Sequence, residues 1–128
     1  MKAVFPEAKG ENKGHYAPGI ISRGMLYISG QLSKDPDTGL VPPPDIGLHM
    51  ELALSNVERV LKAAGLTKDQ VVQCRIYITD IGYWDRVNEV CRAFFGAHKP
   101  ARIVVPVPAL HFGCLAEIEA VAEMPAEE

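Results

Sequence analysis

The chain is poor in the residues that announce most special chemistries. Its 128 residues hold three cysteines, four histidines and one tryptophan. Cys74, Cys91 and Cys114 are odd in number and far apart, with no C-x-x-C pair, which argues against a disulfide framework or a zinc ribbon. Small buried hydrophobes in a reducing cytosol are the simpler reading. His15, His49, His98 and His111 show no H-E-x-x-H or other close spacing, so no zinc or iron site is expected. G-x-x-x-x-G-K-[ST], G-x-G-x-x-G and G-x-S-x-G are all missing, which removes the usual signals for a bound nucleotide and for a serine nucleophile.

Excess positive charge is lacking too. A net charge of -3 provides no global field to draw in nucleic acid or an anionic membrane, so neither is expected as a partner. No apolar run reaches the roughly 18 residues that a membrane span requires, and "MKAVFPEAKGENKGHY" has no apolar core of signal-peptide length. The expectation is a soluble cytoplasmic protein. A hydrophobic content of 48% is enough for one core, and residues 1–128 read as a single domain.

What is present is a change of period along the chain. "IISRGMLYISGQL" reads as two short strands broken at Arg23 and Gly24, followed by turn chemistry at Pro36, Asp37 and Gly39 and a loop, "LVPPPD". From Asp45, a plausible N-cap, the residues Ile46, Met50, Ala53, Val57, Val60, Leu61 and Ala64 fall on one helical face, and Gly65 stops it. Thr67 and Gln70 form a capping-box turn into a strand, Val71 to Thr79. A second helix follows Asp80, buries Trp84, Val87, Cys91, Phe94 and Phe95, and stops at Gly96. Two more strands follow, Ala101 to Val107 and about Cys114 to Met124.

Strands, helix, strand, helix, strands predicts a small α+β domain with both helices on one face of a sheet. In the strand from Val71, Val72, Cys74, Ile76 and Ile78 should lie under the helices. In the last strand Ala116, Ile118, Ala120 and Ala122 should do so, leaving Glu117 and Glu119 on the far face with Arg75, Tyr77, Tyr27 and Val121. A face of that mixture either meets water or packs against further copies of the chain, and a closed homo-oligomer is the favoured reading.

One arginine heads the apolar run "HKPARIVVPVPAL", and a guanidinium cannot shed its charge. Arg102 and Glu117 stand at the starts of the last two strands, which are expected to pair as neighbours. They form either a plain salt bridge between strands, or a site in which Arg102 grips a substrate carboxylate while Glu117 handles a proton or a water. Asn88, on the edge of an apolar helix stripe, either ties down a loop or touches a ligand. Ser29 reads as a strand-end hydroxyl rather than a nucleophile.

The segments "PAR" at 100–102, "EIEAVA" at 117–122, "YISGQ" at 27–31, "PDTG" at 36–39 and "VNEVCRAFF" at 87–95 together resemble the RidA (YjgF) family, across about residues 15–124. The resemblance implies a chorismate-mutase-like α+β fold, a mixed six-stranded sheet with two helices on one face, assembled as a homotrimer with ligand clefts between subunits. It implies cofactor-independent hydrolysis of reactive 2-enamino and 2-imino acids to 2-keto acids and ammonia. Matched by position, Arg102 would bind the carboxylate, Glu117 would position water, and Tyr16, the backbone at Gly30, Asn88 and an aromatic wall at Trp84 would line the site. Ile103 and Val104 stand where many relatives have a small residue and then cysteine, and "HFG" at 111–113 reshapes the following loop. An alternative is a protein that binds small 2-keto carboxylates without turning them over. Ribonuclease activity, also reported within the family, fits poorly with the acidic balance.

Overall fold

The structure, a computed structural model, describes residues 1–10 and 13–126. Strands β1 (Lys2–Val4), β2 (Gly19–Ser22) and β3 (Met25–Leu32) come first. Helix α1 (Ile46–Ala63), strand β4 (Val71–Ile78), helix α2 (Trp84–Phe95) and strands β5 (Ala101–Pro106) and β6 (Ala116–Glu123) complete the order. They build one six-stranded sheet in the order β1-β2-β3-β6-β4-β5, antiparallel except for β4 with β5. A parallel pair needs a crossover rather than a hairpin, and α2 supplies it.

Local chemistry explains the elements. Arg23 and Gly24 both have positive φ, 50° and 77°, as a two-residue hairpin turn between β2 and β3 demands. Asp45 caps α1 by accepting from Leu48 N at 3.2 Å. At the other end Gly65 takes a φ of 78°, Gly65 N donates to Lys62 O and Leu66 N to Leu61 O. These are the paired bonds of a Schellman stop, and the buried Leu66 covers it.

The buried sheet residues Leu26, Ile28, Cys74, Ile76, Ile78, Ala116, Ile118, Ala120 and Ala122 form one cluster with the buried stripes of both helices. Both helices therefore lie on one face, as the period predicted. No helix among the described residues is long and apolar enough to cross a membrane.

The residue pattern alone shows five strands; β1 adds the sixth, at the edge, as the resemblance implied. Three expectations need correction. Val72 does not lie under the helices. The β4 register slips between Val71 and Gln73, so Val72 is the extra residue of a bulge and is 44% exposed, while Val71 turns inward. Trp84 is not core either. A 3-10 turn, Ile81–Tyr83, intervenes after Asp80, which leaves Trp84 as the first residue of α2 and half-exposed; Val90 fills the interior position instead. Finally, β5 and β6 are not neighbours, because β4 lies between them.

Candidate functional site

The interposed strand separates Arg102 from Glu117 by face as well as by position. Arg102 is in register with Cys74, and Cys74 with Ala120, all on the helix side of the sheet. Glu117 is in register with Tyr77 and Leu32, and alternates with the buried Ala116 and Ile118, so it belongs to the opposite face. The first of the two alternatives, a salt bridge between them within the chain, does not form. Glu119 takes the basic partner on that face, with Arg75 at 3.9 Å and the Tyr77 hydroxyl donating at 2.6 Å.

On the helix side, three sequence-predicted residues converge. Arg102 Nη1 donates to Asn88 Oδ1 at 3.0 Å, and the guanidinium carbon stands 5.5 Å from the centroid of the Trp84 ring. Asn88 ties down the arginine. Val104, two residues along the same side of β5, packs against the core, while Ile103 points to the other face and is half-exposed. The two pocket departures thus serve different surfaces. Burial pushes the Cys74 thiol up to about 12, and burial likewise raises that of Cys91; Arg102 opposes both. These are packed thiols rather than nucleophiles. Among the described residues Arg102 has no carboxylate within 4.0 Å. Its charge is met by a neutral amide, a ring face and the neutral Cys91 thiol.

On the open face, Glu117 stands against a glycine. β3 carries one extra residue between Ile28 and Gln31, at Ser29 and Gly30. A Cβ placed on Gly30 would lie 2.7 Å from Glu117 Oε2, so only a glycine allows the carboxylate so near the strand. Ser29 is the strand-end hydroxyl that was expected: Oγ donates to Ala17 O at 2.7 Å, and its N donates to Pro18 O at 2.9 Å. Those bonds hold the loop that carries Tyr16 beside the bulge. Burial, then Glu119, raise the carboxyl of Glu117 above its ordinary value, and His111 opposes them. His111 heads a loop in which Phe112 takes a positive φ of 61°, with the Phe112 ring 3.6 Å from the imidazole and under the Lys34 ammonium at 3.9 Å.

The chain therefore presents two separate clusters: Arg102, Asn88 and Trp84 on one face of the sheet, and Glu117 and Gly30 with the Tyr16 loop on the other. A groove of about 360 Å³ between the helices, lined by Glu51, Leu54, Arg86, Glu89, Val90 and Phe94 among others, includes neither Arg102 nor Glu117. Sequence reasoning passed over His111 beside Glu117, and over His49 and Asn56, two polar residues buried on α1. The signal for the latter was available: both interrupt the apolar stripe, seven residues apart.

Residues 7–124 match the family described as Endoribonuclease L-PSP. A RutC family protein of Pyrococcus horikoshii is 35% identical over 121 residues, 94% of this chain and 96% of that one. Human 2-iminobutanoate/2-iminopropanoate deaminase is 36% identical over 123 residues, 95% of this chain and 90% of that one. The solved YjgF gene product from E. coli superposes with a TM-score of 0.90 at 32% identity, covering 98% of this chain and all of that one. The chain belongs to the RidA (YjgF) family.

Proposed function

We propose that this chain hydrolyses reactive 2-enamino and 2-imino acids to 2-keto acids and ammonia, without a cofactor, at clefts where three copies meet. The observation that carries this reading is Arg102: a fixed, partly buried cation held in place by Asn88 and lacking a carboxylate partner among the described residues. A small metabolite's carboxylate is the planar anion that its fork fits. The deaminase name of the human relative, at 36% identity, supports the same chemistry. The separation of Arg102 and Glu117 onto opposite faces supports an assembly in which one copy's arginine meets another's glutamate.

The chemistry asks little of the protein. Once its nitrogen is protonated, the imine carbon is electrophilic, and water adds there while Glu117 takes the water's proton. The resulting carbinolamine receives that proton on nitrogen. Its C–N bond then breaks while the hydroxyl gives its proton to the re-ionised Glu117, which passes it to the departing ammonia, giving the 2-keto acid and ammonium. A carboxyl raised by burial is suited to hold and return the proton, and positioned acid-base groups of this kind contribute about 10² to 10⁴ in rate. Backbone groups at Gly30 help to place the water, Tyr16 and Trp84 wall the cleft, and Ile103 and Val104 shape the room for the substrate's side chain.

The test couples purified protein to a threonine or serine dehydratase and follows 2-keto-acid formation. The parent should accelerate it and Arg102→Ala should abolish the effect with the oligomer intact. An alanine variant as active as the parent overturns the assignment. Val104, an apolar side chain on the same side of β5 as Arg102 and packed against the core, favours a second reading, capture of a small keto acid without turnover. Tight carboxylate binding with no hydrolysis of any imino acid would establish that reading instead.

A further inference from the structure

Helix α1 carries two polar side chains in its buried stripe, His49 at 1% exposure and Asn56 at 7%. Asn56 Nδ2 donates to Leu32 O at 3.0 Å and to Lys34 O at 2.9 Å, gripping the end of β3. His49 does more. Its Nε2 lies 3.0 Å from Pro43 O and 3.2 Å from Pro42 O, while Nδ1 lies 2.6 Å from Ser33 Oγ and 3.2 Å from Leu115 N.

These partners fix the ring's tautomer. Carbonyl oxygens only accept, so Nε2 carries the proton; the Leu115 amide only donates, so Nδ1 is the bare acceptor. Ser33 must then donate its hydroxyl to Nδ1. One neutral imidazole joins three separate segments: the triple-proline loop, the residue after β3, and the residue before β6. Ser33 N closes the circuit by donating to Ala116 O at 3.2 Å. Glu117 is the next residue, in register with Leu32, and its carboxylate rests against Gly30 on the same two strands.

We propose that His49 is a positioning residue for Glu117, setting the spacing of the β3 end and the β6 start between which that carboxylate is held. The inference rests on the proposed hydrolysis. His49 touches no reacting atom; it acts from the helix side, through the backbone at Ser33, Leu115 and Ala116. Both ring nitrogens of His49 are partnered, although the neighbouring Asn56 Oδ1 is buried without a partner among the described residues, and a satisfied buried ring lends this kind of rigidity. Besides burial, the groups that enter the titration of Glu117 are Glu119 and His111; Tyr77, in register with it, and Arg75, paired with Glu119, stand on the same face. Among the described residues none of them shares a hydrogen bond or ion pair with His49, so a change at His49 reaches the carboxylate by moving it.

The experiment compares the parent with His49→Leu, His49→Gln, Ser33→Ala and Glu117→Gln in the imine-hydrolysis assay across pH. Oligomeric state and circular dichroism are recorded for each. His49→Leu should lower kcat about tenfold, at the low end of what misplacing an acid-base group costs. KM should stay within about twofold, because Arg102 lies on the other face. The acid limb of kcat/KM should move to lower pH as Glu117 leaves its desolvated seat, a shift that a smaller folded fraction alone does not produce. His49→Gln, which keeps a donor and an acceptor, should restore most of the rate. A folded His49→Leu with parental kcat and acid limb overturns the inference. If His49→Leu does not fold, Ser33→Ala decides: the same shift at smaller size supports it, and a parental profile overturns it. An active Glu117→Gln, by contrast, would sink the reading of Glu117 itself.

Discussion

The Arg102 guanidinium donates to Asn88 Oδ1 at 3.0 Å, a bond that joins β5 to α2 at the edge of the sheet. It aims the fork without neutralising it. Hydrogen bonds to charged groups are worth about 1.5 to 3 kcal/mol, so Asn88→Leu should raise KM by about 10- to 100-fold if that bond organises carboxylate capture. Steady-state kinetics with an imine generated in place measures it. An unchanged KM would show that Arg102 needs no aiming.

Gly30→Ala puts a methyl group where Glu117 Oε2 now lies, 2.7 Å from the new carbon. The carboxylate is the movable partner, so the chain should fold and the glutamate should swing away. The expected result is a fall in kcat of at least about tenfold with near-parental KM, since acid-base groups must stand within hydrogen-bond reach of the proton they move.

Stability should respond to pH through Glu117. Burial raises its carboxyl above 4.5, so the folded chain holds that proton more tightly than the unfolded chain does. The group's contribution to stability is therefore complete below pH 4.5 and lost as pH rises through the folded-state value. In a chain kept monomeric by Ile103→Asp, where no second copy's arginine faces the carboxyl, Glu117→Gln, a stand-in for the protonated form, should raise the melting temperature at pH 7 and leave it unchanged at pH 4. Calorimetry at the two pH values checks this; a lower melting temperature at pH 7 would contradict it.

The proposed division of the site between copies makes a sharper prediction. Arg102→Ala and Glu117→Gln homomers should each be inactive. Refolded together in equal amounts, three-quarters of closed trimers are mixed and each has one intact site of three, which gives about a quarter of parental activity. Ile103→Asp, a charge placed on the half-exposed apolar residue of the open face, should yield monomers in sedimentation and no turnover. Persistent inactivity of the mixture would put both groups in one copy's cleft.

Much of this was legible in the sequence wherever one period dominated. The α1 stripe, the Gly65 stop, the Arg23-Gly24 turn and the inward face of β6 all follow from local rules. Val72 was misplaced because a bulge adds a residue and inverts alternation, and nothing in "VVQC" marks it. Trp84 was misplaced because a helix's first residue overhangs the element it starts from. The β5 and β6 pairing failed for a different reason: chain order does not fix strand order once a helix crosses over. The resemblance supplied the roles of Arg102 and Glu117, but their placement on opposite faces depends on that strand order. His49 escaped notice because the histidines were read for metal spacing alone.

The prolines in "HKPARIVVPVPAL" acquire a meaning from the ladder. Val107 N donates inward to Ile78 O at 2.8 Å, so by alternation the nitrogen of Pro106 faces the unpaired side of β5. A residue with no amide hydrogen sits where a donor would otherwise invite a stranger's backbone, and Pro100 and Pro108 share its parity just outside the strand. β5, one of the sheet's two edges, is thereby a poor template for fibre growth through its own rim.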